Sequence, residues 1–311
     1  MKHFKKHVSL ILSILLMIAL FTACKGKESG TDKTAATGDS SGKADVENTG
    51  DTGSDDTAAP EYSKDVQNII DRGVLRVGVK NAVIGFGYQD PLTQEYTGFE
   101  ITLAEKIADY LGVEVEFTAV TAATRTELLD SGDLDCVLAT FTITDERKES
   151  WDFSTPYFTD YVTVLVENKS GITSLGDIVD KKVGVSSGST SAKALLKAMI
   201  EGGFISGDNF QEDTFDPATW NEGITFNQYD DYPTISIALS AGEVDAFCVD
   251  KSILAVYNTE SRAYIDDRFA PQDYGVATKK GSGFSSVVEE LITGWLADGT
   301  IDGLISENGL E

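Results

Sequence analysis

The sequence predicts an α/β fold of two similarly built lobes with a ligand cleft between them. Strand-like and helical segments alternate as βαβαβ over residues 74–139, which implies a parallel sheet covered by helices. The alternation begins again at Tyr161. Residues 129–136 and 239–246 also echo each other, because both read as a helix end, a glycine turn, an acidic residue and a strand. Clefts between such lobes, at the carboxyl ends of strands, are favoured ligand sites.

The predicted first lobe takes residues 61–159 together with residues 272–311. Strands are predicted for its segments rich in apolar and β-branched residues, namely Val74–Val79, 113–118 and 134–139. Helices are predicted for two segments that end in glycine turns, Phe99–Leu111 and 124–129.

The predicted second lobe takes residues 160–271. Apolar runs predict strands at 161–166, 183–185 and 244–249. Helices are predicted at 190–199, after a Ser-Gly-Ser loop, and at 235–239, before Gly242.

The N-terminal residues predict export and a lipid anchor. Residues 1–23 hold lysines, a short apolar run and small residues before Cys24, which is typical of a lipoprotein signal peptide; spanning a bilayer takes about 20 apolar residues. Cys24 is the predicted lipidation site, and an uncleaved anchor or plain secretion is the alternative. Residues 24–60 form an acidic linker rich in Gly, Ser and Thr, which is too polar to bury a core and is predicted to be disordered.

Charge and cysteine content exclude several classes of function. The formal net charge of −26 argues against nucleic acid and anionic lipid as partners, since both require a basic surface. Cys136 and Cys248 lie in apolar runs and are predicted to be buried free thiols, although a disulfide is the alternative in an exported protein. Both histidines lie in the signal segment, so neither a metal site nor a cofactor is expected.

Residues 140–147 suit the capture of a carboxylate. Thr140 and Thr142 alternate on one face directly after a predicted strand, and their hydroxyls can donate hydrogen bonds. Arg147 follows one turn later, and a guanidinium can bond both oxygens of a carboxylate. The alternative is that Arg147 is an ordinary surface residue of a charged helix.

Two segments of the second lobe can complete an amino-acid site. Residues 187–190 connect a strand to a helix, where free backbone N–H groups favour an anion; the alternative is a simple helix cap by Ser189 or Thr190. Asp250 ends an apolar strand and can pair with an ammonium group, unless it only caps the next helix.

Five motifs follow one another along the folded part of the chain: Glu100-x-x-Leu103-Ala104, the Thr-Ile-Thr-Asp-Glu-Arg stretch, Phe153-Ser154-x-Pro156-Tyr157, Val183-Gly184-Val185 before Gly188-Ser189-Thr190, and Val244-Asp245-Ala246-x-x-x-Asp250. Together they resemble the bacterial extracellular solute-binding proteins, family 3, over about residues 66–311. The resemblance implies a periplasmic-binding-protein-like fold of type II, with two hinge strands, that closes around one amino acid. It also implies that Thr142, Arg147 and Thr190 hold the α-carboxylate and that Asp250 holds the α-ammonium group.

Further segments resemble the aspartate/glutamate-binding branch: Gly78-Val79-Lys80, Ala123-Thr124-Arg125, Asp231-Tyr232-Pro233, Val249-Asp250-Lys251-Ser252 and Pro271-Gln272-x-Tyr274-Gly275. In that branch Arg125 would pair with the side-chain carboxylate of the ligand, Tyr232 would hydrogen-bond nearby, and Lys80 would add positive charge. A dicarboxylate needs a second cation that a neutral amino acid does not. A solvated Lys80 and an Arg125 that only caps its helix are the alternatives.

The resemblance implies a monomeric, lipid-anchored substrate-binding component of an ABC amino-acid importer, with no enzymatic activity. Its partners would be aspartate or glutamate, the permease and its ATPase. Glutamine is the alternative ligand, and a signalling receptor would use the same ligand-driven closure. An alternative of another class is a cyclohexadienyl-type dehydratase on this fold, with Glu100 or Glu127 nominated as general acid.

The chain also departs from the family pattern. Many members carry an aromatic clamp in the loop after the first strand, where this chain has Val83-Ile84-Gly85-Phe86. Val83 cannot stack on a ligand, which argues against a large, flat or long cationic side chain. The segment 208–228, which contains Trp220, is longer than the resemblance leads us to expect, and the sequence suggests no role for it.

Overall fold

The computed structural model describes residues 62–310. The predicted signal peptide, the lipidation site at Cys24 and the linker over residues 24–60 lie outside this part of the chain. None of the helices within it is both long and apolar enough to cross a membrane.

The described residues form strands and helices that alternate along the chain. The strands are β1 (Val74–Val79), β2 (Ala82–Val83), β3 (Gly87–Gln89), β4 (Tyr96–Thr97), β5 (Glu114–Ala119), β6 (Cys136–Leu138), β7 (Trp151–Phe153), β8 (Phe158–Glu167), β9 (Lys182–Ser186), β10 (Thr225–Tyr229), β11 (Ala246–Asp250), β12 (Arg262–Tyr264), β13 (Phe269–Tyr274) and β14 (Ala277–Lys279). The helices are α1 (Lys64–Arg72), α2 (Phe99–Leu111), α3 (Thr124–Ser131), α4 (Asp145–Ser150), α5 (Ser191–Glu201), α6 (Tyr232–Ala241), α7 (Lys251–Leu254), α8 (Gly283–Ala297) and α9 (Thr300–Glu307).

Two larger sheets carry the two lobes. The first lobe is built on a five-stranded sheet with the spatial order β5-β1-β6-β14-β7, in which β1 runs parallel to both β5 and β6. The second lobe is built on a six-stranded sheet, in which five strands follow the order β10-β9-β11-β8-β12 and the sixth, β13, pairs with β8. A small sheet of β2, β3 and β4 completes the described strands. The architecture is the predicted two-lobed α/β fold of type II binding proteins.

The chain passes between the two sheets on two paired strands. It leaves the first sheet after β7 along β8 and returns along β13 to β14, and β8 and β13 pair antiparallel from Phe158 opposite Tyr274. These crossovers are the two hinge strands that the fold requires. The lobe boundaries predicted from the sequence, near residues 159 and 272, stay a prediction.

The elements predicted from hydrophobic periodicity are present, with shifted ends. β1 and α2 have the predicted bounds, whereas α6 begins at Tyr232, ahead of the predicted start at residue 235. The early start has a local cause, because the Asp231 carboxylate accepts a hydrogen bond from the Thr234 N–H at 2.8 Å and Pro233 suits the first helical turn. Cys136 and Cys248 are both free and buried, as predicted.

The long segment over residues 208–228 folds around its own aromatic cluster. The Phe215 ring lies 5.7 Å from Phe210, 5.9 Å from Trp220 and 6.1 Å from Phe226 of β10, measured between ring centroids. A salt bridge of 3.1 Å between Lys197 of α5 and Glu212 ties the segment to the second lobe. Ring contacts of this kind stabilise a loop that has little regular secondary structure.

Candidate functional site

The ligand-contact residues predicted from the sequence lie where the two lobes meet. In the first lobe, Lys80 follows β1, Arg125 lies in α3, Thr140 and Thr142 follow β6, and Arg147 lies in α4. In the second lobe, Thr190 precedes α5, Tyr232 begins α6 and Asp250 ends β11. All except Arg147 and Thr190 are buried. The arrangement places polar side chains at strand ends, as expected for a ligand cleft in an α/β protein.

Arg125 is held inside the first lobe by contacts with its own lobe. Its Nη1 donates to the carbonyl oxygens of Ala139 at 2.8 Å and Thr140 at 3.2 Å, and its Cζ lies 3.8 Å from the centroid of the Phe141 ring. Burial lowers the pKa of the guanidinium to about 10, so it remains charged at neutral pH. Its Nε has no hydrogen-bond partner among the described residues. Arg125 is therefore a buried cation with a free donor, and not the helix cap that was the alternative.

Arg147 lies across the boundary between the lobes. Its Nη1 donates to the Thr142 carbonyl at 2.7 Å, and its Nη2 donates to the Gly188 carbonyl of the second lobe at 3.1 Å. Its Cζ is 4.8 Å from the Phe141 ring centroid. Burial, followed by the nearby Arg125 cation, lowers its pKa to about 9. Arg147 is thus an element of the cleft, and not the exposed helix residue of the alternative interpretation.

Lys80 is a third buried basic residue. Only 4% of the residue is exposed, and its Nζ lies 5.5 Å from the centroid of the Tyr232 ring. Burial first, and then repulsion from Arg125, lower its pKa well below the usual lysine value. The solvated lysine that was the alternative is therefore not what the structure contains.

Asp250 presents a free carboxylate oxygen. One oxygen accepts a hydrogen bond from the Tyr274 hydroxyl, whereas Oδ1 has no partner within residues 62–310. It begins α7 but makes no capping hydrogen bond, so the capping alternative is wrong. Burial first, and then the Asp160 charge, raise its pKa to about 7. An ammonium group placed at Oδ1 would supply the missing partner.

Glu100 belongs to the same cluster, although it was predicted only as a possible general acid of the alternative enzyme and not as a binding residue. Its Oε1 accepts from the Thr140 N–H at 2.7 Å and from the Tyr157 hydroxyl at 2.6 Å, and its Oε2 has no partner in the described part of the chain. Burial raises its pKa. Helical spacing could have indicated this buried position, because Glu100 shares the apolar face of α2 with Leu103 and Ile107. An acidic residue on such a face is rare unless it is paired.

The three threonines use their hydroxyl protons within the protein. Thr140 has a φ of +45° and donates to the Ala139 carbonyl at 2.9 Å. Thr142 and Thr190 both donate to Oε1 of Gln272, at 2.8 and 2.7 Å. The expectation that these hydroxyls donate freely to a ligand carboxylate is therefore not met in this arrangement. Gln272 was quoted only as part of a family motif and given no role of its own, because its partner Thr142 lies 130 positions away in the chain.

The loop before α5 brings the second lobe against the first. Gly188 has a φ of +73°, and a Cβ atom there would lie 2.8 Å from the Ala122 oxygen and 2.9 Å from the Ala123 Cα. The Ser189 hydroxyl bonds the Ser186 carbonyl, and Thr190 makes no side-chain cap, so the helix-cap alternative is wrong for both. Glycine is required here by the close approach of two backbones.

Cavities of different size border the predicted site residues, and one of about 430 Å³ is lined by Thr142, Thr190 and Gln272. Lys80 and Tyr232 border a cavity of about 30 Å³. A cavity of about 640 Å³ lies beside Arg147 and includes Phe215 of the aromatic segment in its lining. A cavity of about 980 Å³ lies along α8 and β7, and none of the charged residues named above lines it. The described residues contain no His, Cys, Asp and Glu group that could hold a metal ion.

Several characterised proteins are similar to this chain. The ABC transporter glutamine-binding protein GlnH of Bacillus subtilis is 32% identical over 249 residues, which covers 78% of this chain and 82% of the relative. The L-cystine-binding protein TcyJ of Escherichia coli K12 is 30% identical, covering 77% of this chain and 84% of the relative. The glutamate-binding protein GluB of Corynebacterium glutamicum is 26% identical, covering 77% and 79%.

Solved structures share the architecture. An ancestral arginine-binding protein bound to arginine superposes with a TM-score of 0.64 and 30% identity, covering 76% of this chain and 98% of that one. An ancestral amino acid-binding protein described as a precursor of cyclohexadienyl dehydratase gives a TM-score of 0.64 and 30% identity, covering 78% and 98%.

The family follows from these similarities. Residues 75–308 match the bacterial extracellular solute-binding proteins, family 3, and the characterised relatives are binding proteins, not enzymes. Amino acids are accordingly the ligand class of this chain, and an ABC permease is its partner. The chain belongs to family 3 of the bacterial extracellular solute-binding proteins and is a non-enzymatic amino-acid-binding protein of an ABC transporter.

Proposed function

We propose that this protein is the lipid-anchored receptor of an ABC importer and that it binds aspartate or glutamate. The choice of an acidic ligand rests on one observation. Three basic side chains, Lys80, Arg125 and Arg147, share the cleft with the carboxylates of Glu100 and Asp250, each of which has one oxygen without a partner among the described residues. When all five of these groups are ionised, the three basic side chains exceed the two carboxylates by one positive charge.

A ligand with two carboxylates balances this excess. A neutral amino acid brings one ammonium and one carboxylate group, so it leaves the excess positive charge unchanged. Aspartate and glutamate bring one further negative charge. Because an uncompensated buried charge costs several kcal/mol, closing the cleft favours the dicarboxylic amino acids.

The free hydrogen-bonding atoms suggest an orientation for the ligand. The α-ammonium would bond Oδ1 of Asp250, which has no partner in residues 62–310. The α-carboxylate would bond Arg147, with Thr142 and Thr190 nearby. The side-chain carboxylate would bond Nε of Arg125, which is also without a partner among the described residues. Each charge of the ligand would then meet an opposite charge.

The remaining predicted contacts would surround the side chain of the ligand. Lys80 would add positive charge next to Arg125, and the Tyr232 hydroxyl would hydrogen-bond nearby. Thr140, which is buried and lies just after β6, would contribute to this wall. A carboxylate brought close to Lys80 would raise the depressed pKa of its amine and so favour the charged form of this side chain.

Titration calorimetry tests the choice of ligand. The purified protein is first unfolded and refolded to remove any bound amino acid, and is then titrated with aspartate, glutamate, glutamine, asparagine, cystine and arginine. Micromolar or tighter binding restricted to aspartate and glutamate is expected. A preference for any other amino acid in the panel would refute the acidic ligand and leave the family assignment intact.

Glutamine is the second candidate, because the B. subtilis relative, at 32% identity, is a glutamine-binding protein. The amide oxygen of glutamine could accept from Arg125. Its NH₂ group would then face the cations Lys80 and Arg125, and a site built for a charged group rejects the uncharged analogue. The titration therefore separates the two candidates directly.

The lipid anchor at Cys24 is tested separately. Intact-mass measurement of the mature protein is expected to show a lipidated N-terminal Cys24, and Cys24→Ala is expected to release the protein from the membrane. Deletion of the gene should also abolish uptake of the bound amino acid, whereas a receptor used only for signalling would leave uptake unchanged.

A further inference from the structure

Helix α7 is capped by a residue of another strand. Asp250 stands at its N-cap position with extended backbone, where an aspartate ordinarily accepts a hydrogen bond from an N–H group two or three residues on. The Asp250 carboxylate makes no such bond. Instead, Oδ2 of Asp160 accepts from the Ser252 N–H at 2.9 Å and also from the Ser252 hydroxyl. Asp160 therefore makes the capping contact that the position of Asp250 leads us to expect from Asp250 itself.

Asp160 reaches α7 from β8, one of the two strands that cross between the sheets. Val162 of β8 lies opposite Asp250 of β11. Residues two positions apart on a strand project from the same face, as do directly opposite residues, so Asp160 and Asp250 are neighbours on one face. Only 7% of Asp160 is exposed, and its other oxygen accepts from the Tyr161 N–H at 2.7 Å. Both oxygens of this buried carboxylate are thus engaged, which fixes its orientation.

The contact of Asp160 with Ser252 leaves one oxygen of Asp250 available. The first Asp250 oxygen accepts from the Tyr274 hydroxyl, whereas Oδ1 has no partner among the described residues. An Asp250 side chain that capped α7 would commit one oxygen to the Ser252 N–H, while the Tyr274 hydroxyl holds the other. Neither oxygen would then be free for an ammonium group.

We propose that Asp160 is a positioning residue for amino-acid binding, which caps α7 in place of Asp250 and so keeps an Asp250 oxygen free for the α-ammonium group. This inference rests on the proposed contact between Asp250 and the α-ammonium group. When Asp160 is removed, the Ser252 N–H loses its acceptor, and the Asp250 carboxylate, two positions earlier in the chain, can replace it. The ammonium group of the ligand then competes with an internal hydrogen bond, so affinity falls.

Removal of the Asp160 carboxylate tests the proposal in the mature protein, unfolded and refolded to remove bound amino acid. Asp160→Ala should lower the calorimetric affinity for L-glutamate by about tenfold. Asp160→Asn keeps an oxygen that can accept from Ser252, and its affinity should return to within about threefold of the wild type. An unchanged affinity in Asp160→Ala would overturn the proposal. An equal loss in both variants would also overturn it, because the charge and not the cap would then be responsible.

Two further variants separate capping from a general disturbance of the crossing strands. If Asp160→Ala does not refold, Asp160→Val carries the test, since a β-branched residue favours a strand and also lacks an acceptor. The matched control is Asp273→Ala, which removes an exposed carboxylate that accepts from the Thr159 hydroxyl at 2.6 Å on the other crossing strand. This control should change affinity by less than about twofold. A loss as large as that of Asp160→Ala would overturn the proposal.

A double variant shows whether Asp160 acts through Asp250. In an Asp250→Asn background, adding Asp160→Ala should change affinity by less than about threefold, because the carboxylate that Asp160 positions is already gone. A loss in that background as large as in the wild type would show that Asp160 acts by another route.

The outcomes also separate this inference from the proposed function. Every α-amino acid carries the ammonium group, so the same losses measured with L-glutamine would support the role of Asp160 even if the acidic ligand were wrong. An unchanged affinity in Asp250→Asn would overturn the ammonium contact and this inference together. A loss in Asp250→Asn without one in Asp160→Ala would overturn this inference alone.

Discussion

The two walls of the cleft carry opposite charge. The wall of the first lobe contributes three basic side chains, Lys80, Arg125 and Arg147, and one carboxylate, Glu100. The wall of the second lobe contributes the carboxylate of Asp250. The cations therefore lie on one side of the cleft, and the carboxylate with a free oxygen faces them from the other.

The walls also differ in how they tolerate buried charge. Arg125 and Arg147 donate to backbone carbonyls and pack at 3.8 and 4.8 Å from the Phe141 ring centroid, so each is stabilised without a carboxylate partner. Asp250 has only the Tyr274 hydroxyl, and its other oxygen is without a partner among the described residues. Each wall thus holds charged groups that lack an oppositely charged partner. A ligand with both carboxylate and ammonium groups would supply a partner to each wall.

The largest effect is expected when the cation that spans the boundary is removed. Arg147→Ala should lower the affinity for every amino acid by about a thousandfold, because all of them carry the α-carboxylate that we propose Arg147 binds. Calorimetry with aspartate, glutamate and glutamine measures the loss. Arg268→Ala is the matched control, since Arg268 is exposed and should leave affinity unchanged. Tight binding by the Arg147 variant would remove this residue from the site.

Removal of the deeper cation should discriminate between ligands. Arg125→Ala should lower the affinity for aspartate and glutamate by about a hundredfold and the affinity for glutamine by less than about threefold. Only the acidic ligands lose a charge pair with Arg125. Melting temperatures must be compared, since Arg125 also bonds the carbonyls of Ala139 and Thr140. An equal loss for the three amino acids would show that Arg125 has no contact with the ligand side chain.

Local sequence pattern predicted most of the fold and part of the site. The strands and helices follow from the spacing of apolar residues and from glycine turns, so β1 and α2 have the predicted bounds. Residues at strand ends, such as Asp250, were found because strand ends in an α/β fold point to the cleft.

Features that depend on contacts distant in sequence could not be predicted. Gln272 accepts hydrogen bonds from Thr142, 130 positions away, and from Thr190, 82 positions away. No local sequence pattern predicts these contacts. The role of Glu100 depends in the same way on Tyr157, 57 positions away. The packing of residues 208–228 depends on which aromatic rings meet after folding, which composition alone does not specify.

The approach of the two walls can be tested at a single glycine. Gly188→Ala should weaken amino-acid binding by about thirtyfold, because the added Cβ would lie 2.8 Å from the Ala122 oxygen across the cleft. Gly242→Ala is a matched control with the same φ of +73° and no atom within 4 Å of its added Cβ. Both variants carry the same backbone strain, so the difference in their calorimetric affinities reports closure. Equal affinities would mean that the walls do not come this close when ligand is bound.

The smallest effect should be a dependence of affinity on pH. Burial raises the pKa of Asp250 to about 7 in the empty protein, and only the ionised carboxylate pairs with an ammonium group. Affinity should therefore rise about tenfold between roughly pH 6 and roughly pH 8, over which Arg125 and Arg147 stay charged. Asp250→Asn should bind more weakly and lose most of this slope. A wild-type slope retained in the variant would assign the titration to another group, such as Glu100 or Lys80.

The same pKa shift has the opposite sign for the stability of the empty protein. The pKa of Asp250 in the folded protein is about 7, which is higher than its ordinary value of 3.8. The protonated carboxyl group therefore contributes stability that is fully present below about pH 3.8 and is lost as the pH rises through about 7. Ligand-free Asp250→Asn should therefore gain stability relative to the wild type as pH increases over this range, by denaturant titration at each pH. The carboxylate that strengthens binding at high pH thus weakens the empty fold there, which is the behaviour expected of a wall whose ionic partner is the ligand. A stability difference that stays constant with pH would show that Asp250 already has a partner in the empty cleft.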